Sequence, residues 1–207
     1  MRRVAADSVE VVSAGPEHGA LLASLFERAD VRCYCRYWHF EGSTNGWLDR
    51  SAHAPEQSRG EMLDALATRS DEMSGVVALS RGAAVGWLKL APASAVPKLY
   101  DRRPYHRLPC FQGPRDGVFV VGCLLVDPSE RRRGVARALL DGAIELAERR
   151  GARAIEAFPR RAEGTRDEDV WMGPFSLFAS AGFEIVHDFG PYPVLRLRVP
   201  ASSRPTG

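Results

Sequence analysis

The sequence lacks any long hydrophobic run. Its longest apolar stretch, residues 118–126, has about half the length of a membrane-spanning helix and is interrupted by Gly122. Two arginines lie near the amino terminus, but no apolar segment follows them, so no secretory signal is predicted. We therefore expect a cytoplasmic protein with no membrane partner, in which the few cysteines are reduced thiols. They are Cys33, Cys35, Cys110 and Cys123.

Lysine is also scarce, and the charge is nearly balanced. The chain has 28 basic and 26 acidic side chains, for a formal net charge of +2, and only Lys89 and Lys98 are lysines. The many arginines are scattered along the sequence, and the most basic segment, residues 131–133, precedes a helix that also carries acidic side chains. We therefore expect no nucleic-acid partner.

The length and composition are typical of one soluble globular domain. At 207 residues and 45% hydrophobic content, folding buries roughly 70% of the surface of the unfolded chain, so no disulfide or metal is needed for stability. No internal repeat or linker is visible. We expect a single domain over residues 1–207, with flexible ends at about 1–7 and 201–207.

The hydrophobic pattern predicts an α/β fold, of the α+β type with a mixed sheet. Residues 117–158 read as a strand, a helix and a strand, which implies a parallel pair. Residues 91–116 contain five prolines and no periodicity, as in a functional or disordered loop. The predicted order is β-α-α-β-β-β-α-β-α-β-β, with strands at 8–13, 75–79, 84–90, 117–126, 154–158, 183–188 and 194–199.

The junction after the strand at 117–126 has the pattern of an anion site. Residues 131–136 fit R-x-x-G-x-A, which places small residues, Gly134 and Ala136, at the start of a helix. Free backbone N–H groups and the positive end of the helix dipole favour a phosphate there, and the adjacent arginines add charged donors. The alternative is a solvated basic turn, although cations are unfavourable at a helix start unless an anion binds.

These features resemble the GNAT superfamily of N-acetyltransferases. The resemblance covers most of the chain, through residues 85–87, 124–128, the R-x-x-G-x-A turn and residues 177–183, which are similar to the family's L-Y-x-x-x-G-F run. Cys33-x-Cys35, Glu156-x-Phe158-Pro159 and the Gly173-Pro174 pair are similar to a bacterial branch of the superfamily, which implies no particular substrate.

The resemblance implies a GNAT-like fold in which two central parallel strands splay apart around acetyl-CoA, the co-substrate. It implies that the turn at 131–136 wraps the pyrophosphate and that the backbone at 124–126 pairs with the pantetheine arm and supplies an N–H to the oxyanion. The coenzyme-binding residues expected on this basis are Leu124, Leu125, Val126, Arg131, Arg132, Arg133, Gly134, Val135, Ala136 and Arg137.

Glu156 is the candidate catalytic base. A free alkyl amine is mostly protonated at pH 7, so a base helps acetyl transfer. Some GNAT members that acetylate protein N-termini resemble this chain at Glu156, and burial in an apolar strand raises the pKa of a carboxyl group. The alternative is a strand glutamate that faces solvent or pairs with an arginine.

The family's usual general acid is absent, because Phe178 stands where the L-Y-x-x-x-G-F run has tyrosine. Another tyrosine, such as Tyr105, or a water molecule could act as the general acid instead. Alternatively, the thiolate leaves without an acid. The expected function is acetyl transfer from acetyl-CoA to a primary amine of a small molecule, protein or peptide, by direct attack in a ternary complex. The alternative is a non-catalytic acyl-CoA-binding sensor or accessory domain.

The resemblance also implies that the region after the first helix helps to form the acceptor side. Trp38, His39 and Tyr105 are the predicted substrate contacts, with core packing as the alternative for the tryptophan. The Cys33-x-Cys35-x3-His39 cluster does not have the spacing of a structural zinc site, so no metal is expected. A second copy of the chain is the remaining candidate partner, in a homodimer formed by pairing of an exposed final strand.

Overall fold

The structure, a computed structural model, describes residues 9–161 and 171–200 and contains one seven-stranded mixed sheet. The sheet order is β1-β2-β3-β4-β5-β7-β6, and every neighbouring pair is antiparallel except β4 and β5. The strands are β1 (Glu10–Ser13), β2 (Gly75–Ser80), β3 (Ala83–Pro92), β4 (Val118–Val126), β5 (Ala154–Ala157), β6 (Glu184–His187) and β7 (Val194–Arg198).

Helices cover both faces of the sheet. They are α1 (Gly19–Arg28), α2 (Thr44–His53), α3 (Pro55–Ala67), α4 (Pro97–Tyr100), α5 (Val135–Arg149) and α6 (Phe175–Ser180). Helix α5 packs on one face through a stripe of buried residues at helical spacing, Val135, Leu139, Leu140, Ala143 and Ala147. Helices α1 and α3 pack on the other face, where Phe26, Met62 and Trp87 are buried together.

The predicted fold and its order of elements are confirmed, with two helices added. The hydrophobic pattern did not predict helix α2, because Trp47 is the only buried residue of this helix and it has no apolar stripe. Its start is fixed locally, since the Ser43 hydroxyl accepts a hydrogen bond from the Gly46 N–H. The short α4 lies inside the proline-rich loop, which contributes Val96, Leu99 and Tyr105 to the core.

The central parallel strands separate as expected. Strands β4 and β5 pair only from Val118 opposite Ala154 to Val120 opposite Glu156. Just beyond, the register of β3 against β4 shifts, which leaves Gly122 as an extra residue of β4. A side chain at this position would press on Lys89, because a Cβ there lies 2.9 Å from the lysine Cδ.

The final strand is not at the sheet edge, so the prediction of an exposed last strand is wrong. Strand β7 lies between β5 and β6, which makes β6 the edge strand. Strands β6 and β7 form a hairpin. The order of strands in the sequence does not show which of the two pairs with β5. A homodimer stays a prediction.

Among the residues described, no helix is long and apolar enough to cross a membrane. The flexible ends expected at 1–7 and 201–207 lie outside the described residues.

Candidate active site

The turn between β4 and α5 opens the helix without a side-chain cap. Arg132 (φ 61°) and Gly134 (φ 84°) both adopt the left-handed conformation, and the glycine is the N-cap of α5. Among the residues described, no side chain accepts a hydrogen bond from the first N–H groups, and the first turn contains no acidic residue. These donors and the positive end of the helix dipole therefore face the adjoining cavity.

A cavity of about 550 Å³ lies between the start of α5 and helix α6. It receives most of the predicted coenzyme residues, but not all. Arg133 is absent from the lining and pairs with Glu130 at 3.0 Å. Arg137 lines the cavity while its Nε contacts Asp141 at 2.8 Å. The lining residues are Val126, Glu130, Arg131, Arg132, Gly134, Val135, Ala136, Arg137, Pro174, Ser176, Leu177 and Ser180.

The free edge of β4 lies where the two strands separate. The Leu124 N–H donates to the carbonyl of Trp171 at 2.8 Å, so this edge already holds a carbonyl oxygen. Backbone groups of alternate residues share one edge of a strand, which places those of Val126 on the same side. The side chain of Leu125 is 8% exposed and packs against the α1 and α3 face of the sheet, and its role in coenzyme binding stays a prediction.

Trp38 lies beside this edge. Its ring is 3% exposed, and its Nε1–H donates to the Gly122 carbonyl at 2.7 Å. Trp171 stacks on Trp38, with ring centroids 5.2 Å apart. The sequence did not predict a role for Trp171. Its only signal is that a tryptophan follows a polar segment, and its contact with Trp38 joins positions that are far apart in the chain.

His39 contacts a lysine rather than open solvent. The His39 Nε2 lies 2.8 Å from the Nζ of Lys89, which also donates to the Glu72 carbonyl. Lys89 is fully buried, and no carboxylate among the residues described forms an ion pair with it. Burial, together with the charge of Lys89, lowers the pKa of His39 to about 3, so the imidazole is neutral at pH 7.

Cys35 and Cys123 are buried thiols close to Lys89. Burial raises the pKa of the Cys35 thiol, but its interaction with Cys123 and the charge of Lys89 outweigh burial, so the pKa of this thiol is lowered. The pKa of Cys123 is raised by the same interaction. The charge of Lys89 therefore favours the thiolate form at Cys35 rather than at Cys123.

The neutral state of His39 predicts a stability that depends on pH. Unfolding returns its pKa from about 3 to about 6.5, so the unfolded chain binds the extra proton, and stability is lost as the pH falls from 6.5 towards 3. We expect His39→Gln, which keeps an acceptor for Lys89, to lose less melting temperature over this interval. The exposed His53→Gln is the matched control, and an unchanged slope in His39→Gln contradicts the prediction.

Glu156, the predicted base, is buried as expected but accepts five hydrogen bonds. Arg115 donates to both carboxylate oxygens at 3.0 and 2.7 Å, and Arg196 donates twice to Oε1 at 3.1 and 2.6 Å. The Tyr100 hydroxyl donates to Oε2 at 2.7 Å. The side chain is 0% exposed. The arginine pairing weighed in the sequence is therefore present, and the catalytic role of Glu156 stays a prediction.

Tyr105 and Phe178 both lie in the core. Tyr105 is 1% exposed and packs edge-on against Phe158, with ring centroids 4.8 Å apart, and burial raises the pKa of its hydroxyl to about 12. Its role as a substrate contact stays a prediction. Phe178 is fully buried against Phe183. The described part of the chain contains no group of three or more side chains that is able to hold a metal ion.

Comparisons with known proteins agree with this geometry. The model of the acetyltransferase (GNAT) family matches residues 34–166. The PaiA N-acetyltransferase of Thermoplasma acidophilum, solved with coenzyme A, is similar in structure, with 12% identity, coverage of 92% of this chain and 99% of that chain, and a TM-score of 0.55. The yncA protein of Salmonella typhimurium, solved with acetyl-CoA, has 14% identity, coverage of 95% and 97%, and a TM-score of 0.53.

An N-acetyltransferase of Staphylococcus aureus is similar as well, with 13% identity, coverage of 93% and 99%, and a TM-score of 0.54. No curated protein sequence matches with significance. At these identities the solved structures establish the fold alone, whereas the family match spans more than half of the chain. The splayed strands, the uncapped helix start and the family match lead to one conclusion: the chain belongs to the GNAT family of acetyltransferases and is an acyltransferase.

Proposed function

We propose that the protein transfers the acetyl group of acetyl-CoA to a primary amine of a small molecule or peptide, by direct attack in a ternary complex. The observation that carries this proposal is the cavity at the uncapped start of α5, which reaches Val126 at the end of β4. Two of the similar structures were solved with coenzyme A or acetyl-CoA, which supports the same co-substrate for this chain.

The residues at the start of α5 fit a pyrophosphate. Gly134 has no neighbouring atom within 4 Å of a Cβ, so the turn leaves the helix N–H groups accessible. Arg131, Arg132 and Arg137 line the same cavity and bring positive charge to it. When bound, acetyl-CoA supplies an activated thioester carbonyl for attack by an amine.

Leu124 is the residue that we assign to the acyl oxygen. Its N–H already holds the Trp171 carbonyl at 2.8 Å, which supports its ability to hold a thioester carbonyl and the oxyanion that develops from it. The Trp171 carbonyl has to leave this N–H when the acyl group binds. The departing thiolate needs no strong acid, because thiols ionise near pH 8.5, and this accounts for the phenylalanine at position 178.

Deprotonation of the amine does not require Glu156 as the base. A base needs a lone pair directed at the substrate, and the Glu156 oxygens already face two arginines and a tyrosine hydroxyl. Cations close to the acceptor side, among them Lys98, lower the pKa of a bound amine and favour its neutral, nucleophilic form. We assign Glu156 to positioning the loop that carries Tyr100 and Arg115.

An acyl-CoA-binding sensor is the second candidate. The arginine-bound Glu156 and the buried Phe178 favour it, since neither side chain offers a proton acceptor or donor to a reaction. Release of free coenzyme A thiol, followed with acetyl-CoA and a panel of amines, separates the two functions. We expect at least one amine to raise thiol release above hydrolysis, with the acetylated amine identified by mass. Tight acetyl-CoA binding without release for any amine would favour the sensor.

A further inference from the structure

An aromatic wall lines the sheet face next to the free edge of β4. It comprises aromatic rings from three segments of the chain, and each ring contacts the next one in space. Trp38 and Trp171 stack at 5.2 Å, Tyr37 meets Trp47 at 5.5 Å, and Phe40 meets Trp47 at 5.3 Å. We use the name aromatic wall for Tyr37, Trp38, Phe40, Trp47 and Trp171.

The wall begins where the acyl group is expected. The Trp38 indole donates to the Gly122 carbonyl at the irregular point of β4, and the Trp171 carbonyl accepts the Leu124 N–H. Trp171 is 37% exposed, so part of its ring is open to a ligand. An acceptor whose amine approaches the Leu124 N–H therefore brings its remaining atoms against this wall.

Aromatic faces often bind cations, but here the protein's own cations lie against them. The Lys98 Nζ is 4.5 Å from the Tyr37 ring centroid and 5.4 Å from that of Phe40. The Arg102 guanidinium is 5.9 Å from the centroid of Trp38. A second cation, such as a polyamine, would meet both the occupied faces and like charge.

Neither of these cations is neutralised. Within residues 9–161 and 171–200, no carboxylate forms an ion pair with Arg102 or Lys98. The lysine instead donates to the Phe40 carbonyl at 3.0 Å. Arg102 is half-buried, and the core residue Tyr105 supports its guanidinium at 5.9 Å from the ring centroid. A partly buried guanidinium without a counter-ion favours an anionic group of a ligand.

We infer that the acceptor is an amine that carries a flat, apolar body and an anionic group such as a carboxylate. The anionic group pairs with Arg102, and the apolar body lies along Trp171. This inference rests on the proposed function and names its substrate class. In the reaction, the amine lone pair forms the new C–N bond, the C–S bond breaks with its electron pair on sulfur, and the amine proton passes to water.

The test measures acceptor binding by calorimetry on protein saturated with coenzyme A, so that no turnover occurs. The ligands are three matched pairs that differ only in the carboxylate: phenylalanine and 2-phenylethylamine, tyrosine and tyramine, and tryptophan and tryptamine. We expect the carboxylate member of at least one pair to bind about tenfold more tightly than its partner. Spermidine is expected to bind more weakly than that amino acid.

Two variants assign the preference to one side chain. Arg102→Gln is expected to reduce the tenfold preference to about one, because the carboxylate loses its charged partner. The exposed neighbour Arg103→Gln is the matched control and should keep the preference. Equal or tighter binding of every decarboxylated amine, the absence of binding by all three amino acids, or an unchanged preference in Arg102→Gln overturns the inference.

Failure of the inference is distinguishable from failure of the proposed function. Titration with acetyl-CoA does not depend on Arg102, and neither does thiol release with an amine that has no anionic group. If acetyl-CoA binds and a cationic or neutral amine is acetylated, the proposed function stands and the substrate class is wrong. If acetyl-CoA does not bind, the proposed function itself is wrong, and with it the inference that rests on it.

Discussion

Gly134→Glu is expected to weaken acetyl-CoA binding by about a hundredfold, or about 2.8 kcal/mol. The new carboxylate lies at the start of α5, where the helix N–H groups and the arginines of the turn are expected to meet the pyrophosphate. At 4 Å two like charges near a protein surface repel by about 4 kcal/mol, which is enough for this loss. Isothermal titration calorimetry measures the affinity directly.

The matched control for this variant is Gly82→Glu. Gly82 also has a positive φ, 77°, is exposed, and has no atom within 4 Å of a Cβ, but it lies in the β2–β3 turn away from the cavity. Both substitutions carry the same left-handed backbone strain, so a difference in acetyl-CoA affinity reports position alone. Equal affinity in Gly134→Glu and the wild type would falsify the assignment of the site.

Glu156→Gln is expected to destabilise the fold by about 3 kcal/mol, because it leaves two arginines facing each other around a neutral amide. The wild-type carboxylate is fully buried and accepts hydrogen bonds from Arg115, Arg196 and Tyr100. For a chain of this size, the loss corresponds to a drop of about 6–12 °C in melting temperature. Thermal unfolding followed by circular dichroism measures it.

The same variant separates a positioning role from a base. If Glu156 positions the loop at residues 97–115, the variant loses stability and acceptor affinity, and the pH at half-maximal kcat stays where it is. A base would instead give a large loss of kcat and a shifted pH profile. The exposed Glu148→Gln is the control and should leave stability and rate unchanged.

Much of the fold could be predicted from local patterns. Continuous apolar runs mark β2, β3 and β4, and the stripe on α5 has a clear helical period. Helix α2 was missed because it buries only Trp47, so burial does not impose a period on its sequence. The position of β7 between β5 and β6 was missed because sheet order depends on how the final hairpin turns back.

The candidate site also contains one part that the sequence predicts and contacts that it does not predict. The turn from Arg131 to Ala136 is contiguous, so its pattern was readable in the sequence. The partners of Glu156 lie 56, 41 and 40 residues away, and those of His39 and Trp38 lie 50 and 84 residues away. Sequence spacing does not encode such pairs, and the proline-rich loop that supplies Arg115 has no periodicity to place it.

The sequence by itself determined the family, the order of most elements and the pattern of the turn at 131–136, because these depend on hydrophobic period and on residues that are neighbours in the chain. Only the tertiary structure decided that Glu156 is surrounded by arginines, that His39 contacts a buried lysine and that Trp171 reaches the free edge of β4. The physical reason is that the charge and the free hydrogen-bonding capacity of a buried group are set by its contacts across the sheet.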